Sequence, residues 1–276
     1  MEFRDVMAPL QTLLPWLYAA VVVIYAVAFF AEAPRAERVK SRLLIAVIVL
    51  HGFYLLMRTI QFDHPPITAV FEIMTVLGWC IALAYLYIER RTRTGSTGFI
   101  ILTLAFLFQT ASSLFIRDVV DIPPYLHSFV LGFHVSAALL GYTAISLSAA
   151  YGVLYLLLYH EIKSSRLGVI YKRLPSLEML ETMSRKAEAF GFLALTVAIV
   201  IGVFWLPRVF TQFSYWDPKL VGTLIIWVLY AIGLTAKRTL GWQGRKTMVI
   251  AIAAFCFVVF SMLVINKYLS SFHTFH

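Results

Sequence analysis

The chain has 276 residues, of which 61% are hydrophobic and only 13% charged, about half the charged share of a soluble domain. Together with a mean hydropathy of +0.84, these values exclude a water-soluble globular protein and indicate an integral membrane protein. The formal net charge of +9 is accounted for by loops that face anionic lipid headgroups, so it does not point to nucleic acid as a partner.

A segment of roughly 17–25 apolar residues crosses a hydrocarbon core of about 30 Å. Such runs occur, in chain order, at residues 12–31, 43–60, 68–88, 98–116, 130–159, 187–207, 220–236 and 247–266. They predict an all-α, polytopic membrane helix bundle of about eight transmembrane helices, forming a single integral membrane domain over 1–276. The first run has neither a charged n-region nor an A-x-A-like cleavage site, so it reads as a retained span rather than a signal peptide. Between the fifth and sixth runs, residues 160–186 mix charges with apolar residues. After Pro175, the residues Leu177, Leu180 and Met183 recur at intervals of three, which predicts a short amphipathic helix lying on the membrane surface. A plain helical extension of the sixth span is the alternative. Cys80 and Cys256 both fall inside expected spans and form no C-x-x-C pair. They read as small core residues and argue against thiol–disulfide exchange.

Basic residues orient the bundle, because Lys and Arg accumulate in cytoplasmic loops. Loop 1–2 carries Arg35, Arg38, Lys40 and Arg42, and loop 3–4 carries Arg90, Arg91 and Arg93. Loop 5–6 adds Lys163, Arg166, Lys172, Arg173, Arg185 and Lys186, and loop 7–8 adds Lys237, Arg238, Arg245 and Lys246. These are 17 of the 23 basic residues, so both termini are expected on the extracytoplasmic side of the plasma membrane.

That topology sorts the histidines. His64, His127, His134, His273 and His276 belong to the outer side, His160 to the cytoplasmic end of the fifth span, and His51 to the middle of the second. An aromatic island, Trp205 to Lys219, separates the sixth and seventh spans. If spans five and eight pack together, His134 and His273 approach one apolar slot from two sides. Two imidazoles are good axial ligands for haem iron, with aromatic rings on the porphyrin faces and Arg or Lys near the propionates. His127 rivals His134 two helical turns away, and His276 rivals His273. Taken one at a time, Trp and Tyr at a membrane edge are ordinary interfacial anchors, and an outer histidine is an ordinary polar cap. His51 is less easily reduced to a structural role, since an ionisable group in the hydrocarbon region faces the bundle interior or a polar path. Arg58, two turns beyond it, and Glu72 at the start of span three are expected to pair.

The run His134-Val-Ser-Ala-Ala-Leu-Leu-Gly-Tyr, the run Leu174-Pro-Ser-Leu-Glu-Met-Leu-Glu-Thr-Met-Ser-Arg, the span end Gly202-Val-Phe-Trp205, then Tyr215-Trp-Asp-Pro-Lys219, Trp227-Val-Leu-Tyr230 and the terminal Phe-His273-Thr-Phe resemble, in that order, the cytochrome c assembly family of CcsA-, CcmC- and HemX-type proteins. Leu50-His51 with Arg58, Pro66 and Glu72 resembles the N-terminal half of its CcsA- and HemX-type members. The more specific part of the likeness is the C-terminal half, residues 125–276. The resemblance implies a haem-handling membrane protein in cytochrome c maturation that holds or presents haem b at the extracytoplasmic face. It also implies His134 and His273 as axial ligands, Trp205, Tyr215, Trp216 and Asp217 as the haem-binding loop, and His51 as an intramembrane histidine for haem entry. Apocytochrome c and a separate assembly subunit are the implied partners. Only Trp216-Asp217-Pro218-Lys219 of the family's tryptophan-rich loop is intact, since Phe210, Thr211, Phe213, Ser214 and Leu220 replace the rest. Together with size and span number, this moves the likeness toward HemX-type members. It also opens a second reading, a membrane regulator or scaffold of a tetrapyrrole-biosynthesis enzyme acting through residues 160–186. A small-solute transporter is the third reading, and the chain lacks the matched Gly/Pro-broken spans it calls for. No nucleophile–base pair stands out, so no stand-alone catalytic site is expected.

Overall fold

The structure is a computed structural model and describes residues 3–118, 128–165, 167–209 and 214–269. Nine α-helices follow one another among them: α1 Phe3–Phe30, α2 Pro34–Phe62, α3 Val70–Thr92, α4 Gly98–Phe115, α5 Phe129–Lys163, α6 Val169–Arg173, α7 Leu177–Val209, α8 Pro218–Thr239 and α9 Arg245–Phe260. A π-helical segment, Ser261–Leu269, continues α9. All except α6 are long and apolar enough to cross a membrane, α9 together with the start of its π-helical continuation as Arg245–Ile265, giving eight candidate spans among the described residues. The all-α, eight-span architecture expected from the sequence is therefore the one observed.

Local chemistry sets the helix ends. Pro34 starts α2, where its missing N–H costs nothing, and Asp63 ends it in the left-handed conformation at φ 56°. Arg93 closes α3 in the same way. Asp217 caps α8 by accepting from the Lys219 N–H at 2.8 Å, with Pro218 as the first helical residue. Of the two readings of the segment after Pro175, a surface helix or a helical extension of the sixth span, the structure shows the second. Leu177, Leu180 and Met183 lie in the first two turns of α7, which runs unbroken to Val209, so the intervals of three mark one face of a long span. Only the five-residue α6 stands apart.

The chain divides into two compact units, the first built from Met1–Asp121 with His160–Pro175 and the second from Ile122–Tyr159 with Ser176–His276. In the first unit α1 packs on α2 and α4, and α3 packs on α2 and α4, closing a four-helix ring. Its core includes Leu14, Tyr54, Leu55 and Phe62. Arg173, just after Lys172 at the end of α6, donates to the last carbonyls of α1, Ala28 at 3.0 Å and Phe29 at 2.6 Å, and pairs with Glu32. A cation there complements the negative end of the helix dipole.

In the second unit α8 packs on α7, on α9 and on the π-helical segment. Small residues bring α5 against α7, since a Cβ on Gly191 would lie 3.2 Å from the Gly141 carbonyl oxygen. Ser148 and Ser184 hydrogen-bond across the same pair of helices at 2.9 Å. Gly152 does for α9 what Gly191 does for α7, with the Met248 carbonyl 3.3 Å from its would-be Cβ. Such small-residue seams are how helices associate where lipid removes the hydrophobic drive.

Candidate functional site

Two polar constellations lie within apolar helices, one in each unit. In the second unit His134, one turn into α5, faces α7, and its Nδ1 lies 2.8 Å from the Ala198 carbonyl oxygen. A carbonyl only accepts, so Nδ1 carries the proton and the lone pair of a neutral imidazole is on Nε2. Gly202, one turn after Ala198, makes room for the ring, since a Cβ there would lie 3.0 Å from His134 Cε1 and 3.3 Å from Nδ1. The site is thus a shaped cradle with a fixed tautomer.

The aromatic residues of the same unit divide. Trp216 is 85% and Tyr215 58% exposed, and together with Val221, Leu224, Ile225 and Val228 they line a groove of about 530 Å³ along α8. Trp205 is half-buried on α7. Asp217 is buried and is spent as the α8 cap. The Asp-Pro-Lys sequence therefore has a local structural meaning that the reading of Asp217 as a haem contact did not include. Trp227, stacked on Phe192, donates from Nε1 to Thr196 at 2.8 Å, tying α8 to α7. His127, His273 and His276 lie outside the described residues.

In the first unit His51 is fully buried and has a partner at each ring nitrogen. Nδ1 lies 2.9 Å from the Tyr18 hydroxyl on α1, and Nε2 lies 2.9 Å from the Thr75 hydroxyl on α3. Thr75 donates to Gln109 Oε1 at 2.7 Å, Gln109 Nε2 donates to the Ser113 hydroxyl at 2.9 Å, and Ser113 donates to the Gln11 carbonyl at 2.7 Å. The chain of bonds passes through all four helices of the ring. The sequence singled out His51, while Tyr18, Thr75, Gln109 and Ser113 carried no signal because each is a neutral polar residue in a largely apolar span.

Two turns along α2 from His51, Arg58 Nη2 donates to Glu72 at 3.0 Å, as the sequence led us to expect. Both side chains are buried, at 2% and 0% exposure. Arg58 also reaches Asp118 at 3.4 Å and the Arg117 carbonyl at 3.3 Å. The other Glu72 oxygen accepts from the Thr68 N–H at 3.0 Å and the Thr68 hydroxyl at 2.7 Å. Of the remaining histidines, His64 is buried against the Pro65 carbonyl at 3.0 Å, and His160 is exposed. Cys80 and Cys256 form no disulfide, and Cys256 is exposed rather than a core residue. No group of three or more metal-ligating side chains occurs among the described residues.

The arrangement can be set beside known proteins. Among curated relatives, the cytochrome c biogenesis protein CcsA of Mesostigma viride is 26% identical over 82% of this chain and 82% of its own. The CcsA of Prochlorococcus marinus (strain NATL2A) is 27% identical over 87% of this chain and 86% of its own, and that of Trieres chinensis 25% identical over 91% and 90%. The match to the family described as cytochrome C assembly protein covers residues 67–273, starting in the first unit and taking in nearly all of the second, so the chain belongs to that family.

Proposed function

We propose that this protein binds haem b within its second unit, through His134 and with His273 as the second axial ligand, and presents it for cytochrome c maturation at the extracytoplasmic face of the plasma membrane. The observation that carries this reading is the cradle of His134. Its Nδ1–H is held by the Ala198 carbonyl and its ring is accommodated by Gly202. The Nε2 lone pair is left as the donor, the arrangement by which metal-binding imidazoles are oriented from their other nitrogen. The residues present fit the group. The groove beside Trp216, about 530 Å³, falls within the about 300–1,000 Å³ common for small-molecule sites and offers apolar and aromatic walls.

Gly152 of α5 stands opposite Met248 and Ile252 of α9, so α9 packs beside the helix that carries His134. The pairing of His134 with His273 is what the family resemblance implies. Haem, when bound, supplies vinyl groups to which the thiols of an apocytochrome c add. The protein's own part is to fix the imidazoles, cover the ring and exclude water. The family membership and the CcsA relatives favour this reading over a regulator or a solute transporter.

The test is the absorption spectrum of the purified protein with and without dithionite. A Soret band is expected in the wild type. His134→Gly and His273→Gly should each leave five-coordinate or misligated haem, and added imidazole should restore much of the spectrum. An unchanged spectrum in the double variant, with loss in His127→Ala, overturns the ligand assignment while leaving the family intact.

A further inference from the structure

The face of α7 that holds His134 at Ala198 and Gly202 carries a second set of polar groups further back. Ser184, Glu188 and Gly191 are buried on it, spaced three or four apart and so on one side of the helix. Glu181 stands one turn before Ser184, half-buried, with its Oε1 enclosed and without a hydrogen-bond partner. Ser184 meets Ser148 of α5 hydroxyl to hydroxyl at 2.9 Å and donates to the Ser148 carbonyl at 3.0 Å. Glu188 follows one turn later and is 2% exposed. Its carboxylate takes the space that Gly233 of α8 leaves open, since a Cβ on that glycine would collide with Oε1 and lie 3.3 Å from Cδ. Among the described residues no hydrogen bond or ion pair holds this carboxylate, and Arg185 is within electrostatic reach without forming a salt bridge. Tyr230 of α8 is fully buried, its hydroxyl has no hydrogen-bond partner, and it lies within electrostatic reach of both Glu188 and Cys256 of α9.

A buried carboxylate without a counter-ion is costly as an anion, and inside a bilayer such residues mark ion or proton paths. The groups around Glu188 suit a proton. A calcium ion takes about 6–8 oxygen ligands, more than a lone carboxylate and a tyrosine supply, whereas a hydroxyl both donates and accepts and so can pass a proton on. We propose that Glu188 is an intramembrane proton-binding site of the second unit, loaded from the Glu181 end of α7 through the Ser148 and Ser184 hydroxyls. The step is one of acid and base alone. A proton from water at the Glu181 end reaches a Glu188 oxygen, converts the carboxylate to the carboxylic acid, and leaves by the same route. Arg185 and Glu181 on α7, Ser148 on α5, Tyr230 on α8 and Cys256 behind it on α9 are the groups that set its charge environment. The path stops at Glu188, because the next buried residue, Gly191, is pressed against α5: a Cβ there would lie 3.0 Å from Ile145, 3.2 Å from the Gly141 carbonyl and 3.4 Å from Ala144. The site therefore exchanges with one side of the membrane, and it does not depend on the haem reading.

The experiment uses the full chain in lipid nanodiscs, without added haem, and follows the infrared carbonyl band of protonated carboxylic acids as the buffer pH is changed. The wild type is expected to show a band that disappears reversibly as the pH rises. Glu188→Gln, which keeps the size and shape of the side chain, is expected to lose it. After a rapid pH jump, Ser184→Ala is expected to gain and lose the band more slowly than the wild type. Ser146→Ala, whose hydroxyl bonds to the Tyr142 carbonyl of its own helix at 2.7 Å, is expected to keep the wild-type rate. Absence of a Glu188-dependent band in the wild type overturns the proposal, and its appearance in Arg185→Gln would identify Arg185 as a counter-ion instead. A band that no pH change moves overturns it too, since Glu188 is then a sealed structural acid. So does a band displaced by sodium but not by potassium at constant pH, which would make this a metal-ion site. An unaltered rate in Ser184→Ala removes the assigned path and the proposal with it.

Discussion

Arg58 and Glu72 are unequal partners in their buried pair. Without Arg58, Glu72 still accepts from the Thr68 N–H and hydroxyl at the start of α3, where the helix dipole favours an anion. Without Glu72, the Arg58 guanidinium has no fully buried anion beside it: Asp118, at 3.4 Å, is half exposed, and Tyr54, the Phe62 ring and the Arg117 carbonyl at 3.3 Å carry no charge that matches its own. Removing one member of a buried pair costs about 3–5 kcal/mol because the other charge is left uncompensated. Glu72→Ala should therefore destabilise the protein more than Arg58→Ala, and the double variant should cost less than the sum of the singles. Unfolding in detergent measures all three, and simple additivity would show that the two are not coupled. This pair was legible in the sequence because both residues are rare charges in apolar runs. The partners of His51 and the cradle of His134 were not. Serine, threonine, glycine and a backbone carbonyl acquire meaning only when another helix brings the imidazole to them.

At the scale of elements, eight spans could be read directly, since twenty apolar residues in a row have few other uses. The start of α7 could not, because an amphipathic helix on the membrane surface and the first turns of a long span share one periodicity. What joins the spans is also hidden in composition. Gly191 faces the Gly141 carbonyl, and a Cβ on Gly141 would lie 2.9 Å from the Leu195 side chain. Gly191→Val should therefore force α5 and α7 apart and cost about 1–3 kcal/mol, visible as a lower melting temperature, whereas Gly132→Ala, with nothing within 4 Å, should not. At the α8 cap, Asp217→Ala should cost about 1 kcal/mol and Asp217→Asn very little, since Asn caps as well as Asp. Haem loss in Asp217→Asn without loss of stability would mean that the carboxylate does more than cap.

For the whole molecule, the basic residues make a topology prediction. Reporter fusions after Arg93 and Lys246 should report the cytoplasm, and a fusion after His276 the outside. A cytoplasmic signal at the C terminus would put His134 and His273 on the wrong face for cytochrome c maturation. The two units do not stand out in the sequence, because both are helical and apolar and no composition shift marks one from the other. Their boundary is also not a single cut in the sequence, since residues 160–175 complete the first unit.

That last feature bears on how the protein is made. The side chain that caps the end of α1 is Arg173, 145 residues further along than its partner Ala28. A ribosome will have synthesised all of α5 before Arg173 exists, so the four-helix ring must wait, inserted but unlatched, while the second unit has already begun. Truncation after residue 121 should give a ring whose α1 end is readily proteolysed, and supplying residues 160–175 as a separate peptide should protect it.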